Sequence, residues 1–338
     1  MSVLYSKEPQ VYVFFSADLI GSTQKKQYAQ KQDDEKALCI SSWVSNVVEF
    51  YSSFEETFAK DGVELWKYNG DEILFYAKIS SWDEALNHVK RFRDAIEKNN
   101  SPENKYPVKG AVWTAGFPIR NFILRKPAIN NDCIDFIGPD IDLGFRIATL
   151  ANRDRIAISP ELALGLISVS KESREMKWHF YGRKNLKGIV EEGGIPVVFL
   201  SSTRDVISLQ DKEEELLGDR LTPSSLGDFL ELYFKQSQKW RKREFFSNSD
   251  EMKKNSYYAD AYEEACSIID KICQDDAIEE LATADTSNVP ALLNEIEIKK
   301  TRKTKKASRK SIPSPQKTIK KHAKPAKRIQ SKSRRVSK

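Results

Sequence analysis

VYVFFSADLIGST, residues 11–23, carries a β-branched and aromatic series straight into an aspartate, Asp18, and on into a Gly-Ser-Thr turn. LWKYNGDEILFYA, residues 65–77, repeats the plan, with Asp71 between two apolar series and Gly70 where a turn needs freedom in φ. Each reads as a strand, a tight polar interruption, then a strand or helix. A carboxylate at the tip of such an element is held rigidly because its neighbours are buried. Two carboxylates presented this way from adjacent strands can hold divalent cations against a polyphosphate. Each segment also has a purely structural reading. Asp18 can cap a helix starting near Gly21, and Asp71 can close an Asn-Gly-Asp hairpin. The two together, followed by a third block, point to a site.

The third block is NDCIDFIGPDIDLGFRIATLANRDRIAIS, residues 131–159. An apolar start (Ile134, Phe136, Ile137) meets a Gly138-Pro139 break, the punctuation of a strand-to-helix junction. A helical apolar pattern follows at Ile141, Phe145, Ala148 and Leu150. In that helix Asp142 and Arg146 lie four apart and share a face. Taken alone, that pair also reads as a solvated ion pair.

Together the blocks resemble the catalytic domain of class III nucleotidyl cyclases. Its signature is a strand ending in F-x-D-x-x-G-[SF]-T, then K-x-x-G-D, then D-x-x-G-x-x-x-N-x-A-x-R. The matching stretches are FFSADLIGST, KYNGDE and DFIGPDIDLGFR, in the family's order within residues 9–202. The family's phosphate-binding lysine follows a late strand, where NLKGIVEEGGIPVVFL supplies Lys187. The resemblance implies two magnesium or manganese ions bound at Asp18, Leu19 and Asp71. One ion would activate a ribose 3′-hydroxyl and the other would clamp the triphosphate. It implies phosphate binding by the turn Gly21, Ser22 and Thr23 at a helix N-terminus. Arg146 would stabilise charge at the reacting phosphorus, and Lys187 would neutralise the departing pyrophosphate. No protein nucleophile is needed. The three histidines (His88, His179, His322) do not cluster with a cysteine, which argues against a histidine-based hydrolase.

One residue departs from the pattern. Asp142 stands where the family has an asparagine that orients the ribose. A carboxylate cannot donate the amide's hydrogen bond, though it can accept from a ribose hydroxyl. Either the enzyme is inactive and senses nucleotide, or it handles a different substrate. Retention of Asp18, Asp71, Arg146 and Lys187 favours the second.

In the family, base identity is read at the positions of Lys67 and Asp135, and this pair matches adenylate rather than guanylate cyclases. A lysine donor beside a carboxylate acceptor suits a ring nitrogen next to an exocyclic amino group. Adenine offers that pair at N1 and N6, and cytosine offers it at N3 and N4. Trp66 and Tyr68 flank Lys67 and bring large rings to the place of a purine, although alternation along the strand makes one of the two a core residue. Tyr68 joins Lys67 and Asp135 as a base-recognition candidate. The blocks KGAVWTAGFP, WKYNGDEILFYA and DFIGPDIDLGFRIA resemble the pyrimidine cyclases of bacterial anti-phage Pycsar systems more than signalling adenylate cyclases. That resemblance implies cyclic CMP or cyclic UMP as a second messenger, with a separate effector that it activates. Adenylate cyclase is the alternative.

A chain of 338 residues, 40% hydrophobic, has room for one sizeable core and some additions. Its four cysteines (Cys39, Cys133, Cys266, Cys273) show no CxxC spacing. No signal peptide and no membrane-crossing apolar stretch are visible, so a reduced, cytoplasmic, soluble protein is expected. The net charge of +6 conceals a split. Residues 299–338 hold 18 of the 55 basic residues and no acidic one, leaving 37 basic against 49 acidic, a balance of −12. That Ser-, Pro- and Lys-rich tail reads as disordered and able to contact nucleic acid or acidic surfaces. A nucleic-acid binder acting through the tail is a further reading. Residues 206–298 read as a helical extension of unknown role, with apolar series at Leu216, Leu217, Leu226, Phe229, Leu230, Phe234 and at Tyr258, Ala261, Ala265, Ile268, Ile272.

The expected architecture is an α/β sandwich of the cyclase type with a mostly antiparallel sheet. Strands fall near 10–17, 63–68, 72–78, 108–116, 155–158, 177–182 and 195–201. Helices fall near 34–60, 82–98 and 139–151. The resemblance implies a homodimer with shared active sites, the metal aspartates from one subunit facing the arginine of the other.

Overall fold

The computed structural model describes residues 4–5, 7–24, 40–101, 106–126, 133–189, 193–203, 207, 209–217, 221–236 and 260–272. The basic tail and the start of the helix expected from residue 34 lie outside these residues. So do Tyr258, Cys39, Cys273 and His322.

The strands are β1 (Leu4–Tyr5), β2 (Gln10–Leu19), β3 (Val63–Asn69), β4 (Glu72–Ile79), β5 (Val108–Phe117), β6 (Phe122–Lys126), β7 (Cys133–Ile137), β8 (Arg155–Ile158), β9 (Trp178–Lys184) and β10 (Ile195–Ser201). The helices are α1 (Ile40–Phe58), α2 (Trp82–Asn99), α3 (Pro139–Ala148), α4 (Pro160–Val169), α5 (Lys171–Glu175), α6 (Leu209–Leu217) and α7 (Pro223–Gln236), and a further helix runs over 260–272. Seven strands form one sheet in the order β3-β4-β2-β5-β8-β10-β9, antiparallel except for β5 beside β8. All seven expected strands are in it. A smaller sheet, β1-β6-β7, was not expected as such.

Strand β2 is the axis of the fold. Residues 11–17 are buried without interruption, so both faces of the strand are covered. Its odd residues, Val11 to Leu19, join the larger core with Phe54, Phe58 and Phe92 from α1 and α2. Its even residues, Tyr12 and Phe14, meet Trp113, Phe136 and Ile141 on the opposite face. Asp18 continues that even row, and strand alternation therefore delivers it to the face covered by α3. Helix α3 lies very close to the sheet there. A Cβ added to Gly144 would come within 2.2 Å of the fully buried Trp113 indole, so only glycine permits this approach.

Helix α4 was missed because apolar residues surround it almost completely, with Glu161 itself buried among them. Eight of its ten residues are buried, and no amphipathic period marks it. Its start was legible in Ser159, which caps Leu162 N, and in Pro160 at the first turn. Within 206–298 the described helices pack on the sheet domain. Leu226 and Leu230 of α7 enter the larger core, and Ala265 and Ile269 are buried. Among the described residues, no helix is long and apolar enough to cross a membrane.

Candidate active site

Register builds the site. Asp18 pairs with Glu72 on β4 and with Lys109 on β5, placing one charged residue from each of three neighbouring strands in a single row. The β3–β4 hairpin has only Gly70 and Asp71 between the paired Asn69 and Glu72, with Gly70 at φ +72°. Asp71 is held at that tip from both sides. Leu19 N donates to its backbone oxygen at 3.3 Å, and the buried Ser22 hydroxyl donates to its carboxylate. Ser16 Oγ and Asn69 Nδ2 donate to Glu72 at 2.6 and 3.0 Å.

Asp18, Asp71, Glu72 and Lys109 open onto one cavity of about 230 Å³, closed on another side by Phe145 and Thr149 at the C-terminal end of α3. Burial pushes the Asp18 carboxyl above its usual range, and the Lys109 ammonium, 3.0 Å away, pulls it back down. The donor set fits a hard divalent cation. Three carboxylates line the one cavity, and a cationic group already sits on one of them. Glu72 and Lys109 were not singled out from the sequence. The signal that finds them is cross-strand register, which a single sequence does not print.

Lys67 and Asp135 lie together. Lys67 Nζ is 2.9 Å from Asp135 Oδ1, and that same oxygen accepts from Trp66 Nε1 and from Phe136 N, both at 3.0 Å. Two consecutive β3 residues reach one partner because the pairing with β4 slips between Leu65 and Lys67. Trp66 is the core member of the pair flanking Lys67, and its ring lies 5.9 Å from that of Phe145, at the edge of the cavity. Tyr68 faces elsewhere. Its ring lies against Tyr51 at 4.5 Å and its hydroxyl donates to Glu55, so that burial and Glu55 push the phenol up to about 12.

Asp142 and Arg146 are on the exposed side of α3, and Lys187 is exposed in the turn after β9. None of the three is among the residues lining the cavity. Ser22 is committed to Asp71, while Gly21 (φ +75°) and Thr23 are exposed at the turn.

A second cluster, His179, Asp211 and Glu214, has ligand atoms within 4.8 Å of one another. Its charge is already met. Buried Arg155 donates to Asp211 at 2.7 Å, to Glu214 at 3.2 Å and to His179 Nε2. Lys177 sits 2.5 Å from Asp211. Arginine can only donate, so Nδ1 of His179 carries the proton that goes to Glu214 at 2.8 Å. The cluster fastens α6 to β8 through Arg155, to β9 through His179, and to β10 through Ser201, whose hydroxyl meets both Arg155 and His179. Burial first, and then Arg155, hold His179 below its ordinary value of 6.5. The unfolded histidine therefore takes its proton first. Its contribution to stability is complete above pH 6.5 and is lost as the pH falls below it. The melting temperature should drop between about pH 7 and about pH 5, and His179→Gln should reduce that slope. His88, also lowered chiefly by burial, retains its part. An identical slope in wild type and His179→Gln would contradict the assignment.

No protein-family model matches the chain, and no curated protein matches it. Among solved structures it is similar to the adenylyl cyclase CyaB from P. aeruginosa, at 13% identity and a TM-score of 0.44, covering 62% of this chain and 99% of that one. It is similar to the guanylyl cyclase Cya2 at 14% identity, TM-score 0.41, covering 57% and 92%. A third is the guanylate cyclase domain of RhGC from Catenaria anguillulae in complex with GTP, at 12% identity, TM-score 0.41, covering 59% and 100%.

Proposed function

We propose that this chain is a nucleotidyl cyclase that converts a pyrimidine nucleoside triphosphate, CTP ahead of UTP, into its 3′,5′-cyclic nucleotide and pyrophosphate. One observation carries the reading. Asp18 and Asp71, the two motif carboxylates, open with Glu72 onto a single cavity whose rim reaches the Lys67–Asp135 pair through Phe145 and Trp66.

Asp18 and Asp71 would hold two Mg²⁺ or Mn²⁺ ions, with Leu19 contributing at the same tip. Bound there, the ions supply Lewis acidity to the attacking 3′-hydroxyl and to the triphosphate. The turn Gly21, Ser22, Thr23 offers backbone N–H groups to phosphate oxygens. Arg146 stabilises the charge that develops on the transferred phosphoryl group, and Lys187 receives the pyrophosphate. Asp142 accepts from a ribose hydroxyl. Lys67 donates to a ring nitrogen and Asp135 accepts from the adjacent amino group, a match for cytosine. The same match holds for adenine, so adenylate cyclase is the second reading. The role as an anti-phage second-messenger enzyme, with a separate effector, rests on the resemblance of the sequence blocks alone.

Arg146 is exposed and outside the cavity lining. A homodimer, with Arg146 of one copy completing the site of the other, accounts for that placement. Asp71→Asn and Arg146→Ala should each be inactive as purified proteins. Mixed and allowed to exchange, they should recover about a quarter of wild-type turnover, because half the dimers then hold one intact site of two. No recovery under conditions where subunits demonstrably exchange would contradict shared sites.

A further inference from the structure

Among the described residues, Asp18 is the one carboxylate of the row Glu72–Asp18–Lys109 that is held by a cation. Glu72 is taken up by the neutral donors Ser16 and Asn69, and Asp71 by Ser22. Lys109 Nζ stands 3.0 Å from Asp18 Oδ2, with each side chain about one quarter exposed. The ammonium occupies the carboxylate that a divalent cation needs, and its flexible stem leaves it able to move.

We infer that Lys109 is a resident counter-ion which metal must displace from Asp18, and that the triphosphate receives the displaced ammonium, so that metal and nucleotide bind cooperatively. The inference rests on the cyclase reading. Without nucleotide, an incoming divalent cation meets a like charge and must break a charge-assisted contact at a partly buried carboxylate. With nucleotide present, phosphate oxygens take the ammonium, and its charge then favours the loaded state. Lys109 thereby acts as a positioning residue, which suppresses metal loading in the absence of substrate.

The test is Mn²⁺ binding, followed by the electron paramagnetic resonance of the free ion, in the full-length protein. Wild type, Lys109→Met, Lys109→Gln, Lys109→Arg and Asp18→Asn are compared without nucleotide and with 3′-deoxy-CTP or 3′-deoxy-ATP, which cannot cyclise. Lys109→Met and Lys109→Gln should tighten nucleotide-free Mn²⁺ binding about ten-fold. That gain should shrink or reverse once the triphosphate is present, and Lys109→Arg should follow wild type. An Asp18-dependent Mn²⁺ site whose affinity is unchanged or weakened in the Met and Gln proteins overturns this inference alone. So does an equal gain with and without nucleotide. A Mn²⁺ affinity that Asp18→Asn leaves untouched overturns the metal-site reading, and this inference with it.

Discussion

Asp18→Asn and Asp71→Asn should each lower cyclic-nucleotide formation by about 10³-fold or more while leaving the fold intact. Loss of one ligand to a charge-stabilising cation removes several kcal/mol of transition-state stabilisation. The fold should survive for reasons specific to each position. At Asp71 an asparagine Oδ1 can still accept from Ser22, so the hairpin tip keeps its tie. At Asp18, burial is the largest influence on the carboxyl and opposes its charge. A neutral amide is therefore better tolerated there, and the melting temperature of Asp18→Asn in chelator should equal or exceed that of wild type. Turnover within a few-fold of wild type in both variants would remove the metal assignment.

Asp135→Ala should lower kcat/KM for CTP by about 10²-fold and for UTP by far less. Among the described residues, three donors converge on Asp135 Oδ1, from Lys67, Trp66 and Phe136. The second oxygen is thereby left to accept from an exocyclic amino group, which cytosine has and uracil lacks. A site built around a hydrogen bond discriminates more strongly than one built on packing, because the wrong base leaves a polar group unmatched. Equal losses for the two pyrimidines would show that Asp135 supports the architecture of β7 without reading the base.

The sequence shows why parts of this molecule were readable and others were not. The alternation of β2 delivers Asp18 to one face, and Gly70 marks the hairpin that presents Asp71. Both are local features, and both segments fold as read. The β-bulge at Leu65/Lys67 is not local. It exists only against β4, and it turns Trp66 and Lys67 together toward Asp135 while Tyr68 faces Tyr51 and Glu55. Lys109 was hidden for the same reason, since it becomes an Asp18 partner through the β2–β5 register alone. Arg155, fully buried, was hidden behind a short apolar strand pattern. It reveals itself only once α6 brings Asp211 and Glu214 to it. Tertiary partners, rather than propensity, decide these positions.

The most direct test of the central claim is incubation of the purified protein with each of the four nucleoside triphosphates and Mn²⁺, with products resolved by mass. A cyclic mononucleotide with release of pyrophosphate is expected, with CTP consumed fastest, UTP next, and ATP and GTP least. Faster turnover of ATP than of either pyrimidine would make this an adenylate cyclase, and no cyclic product from any of the four would contradict the cyclase reading itself.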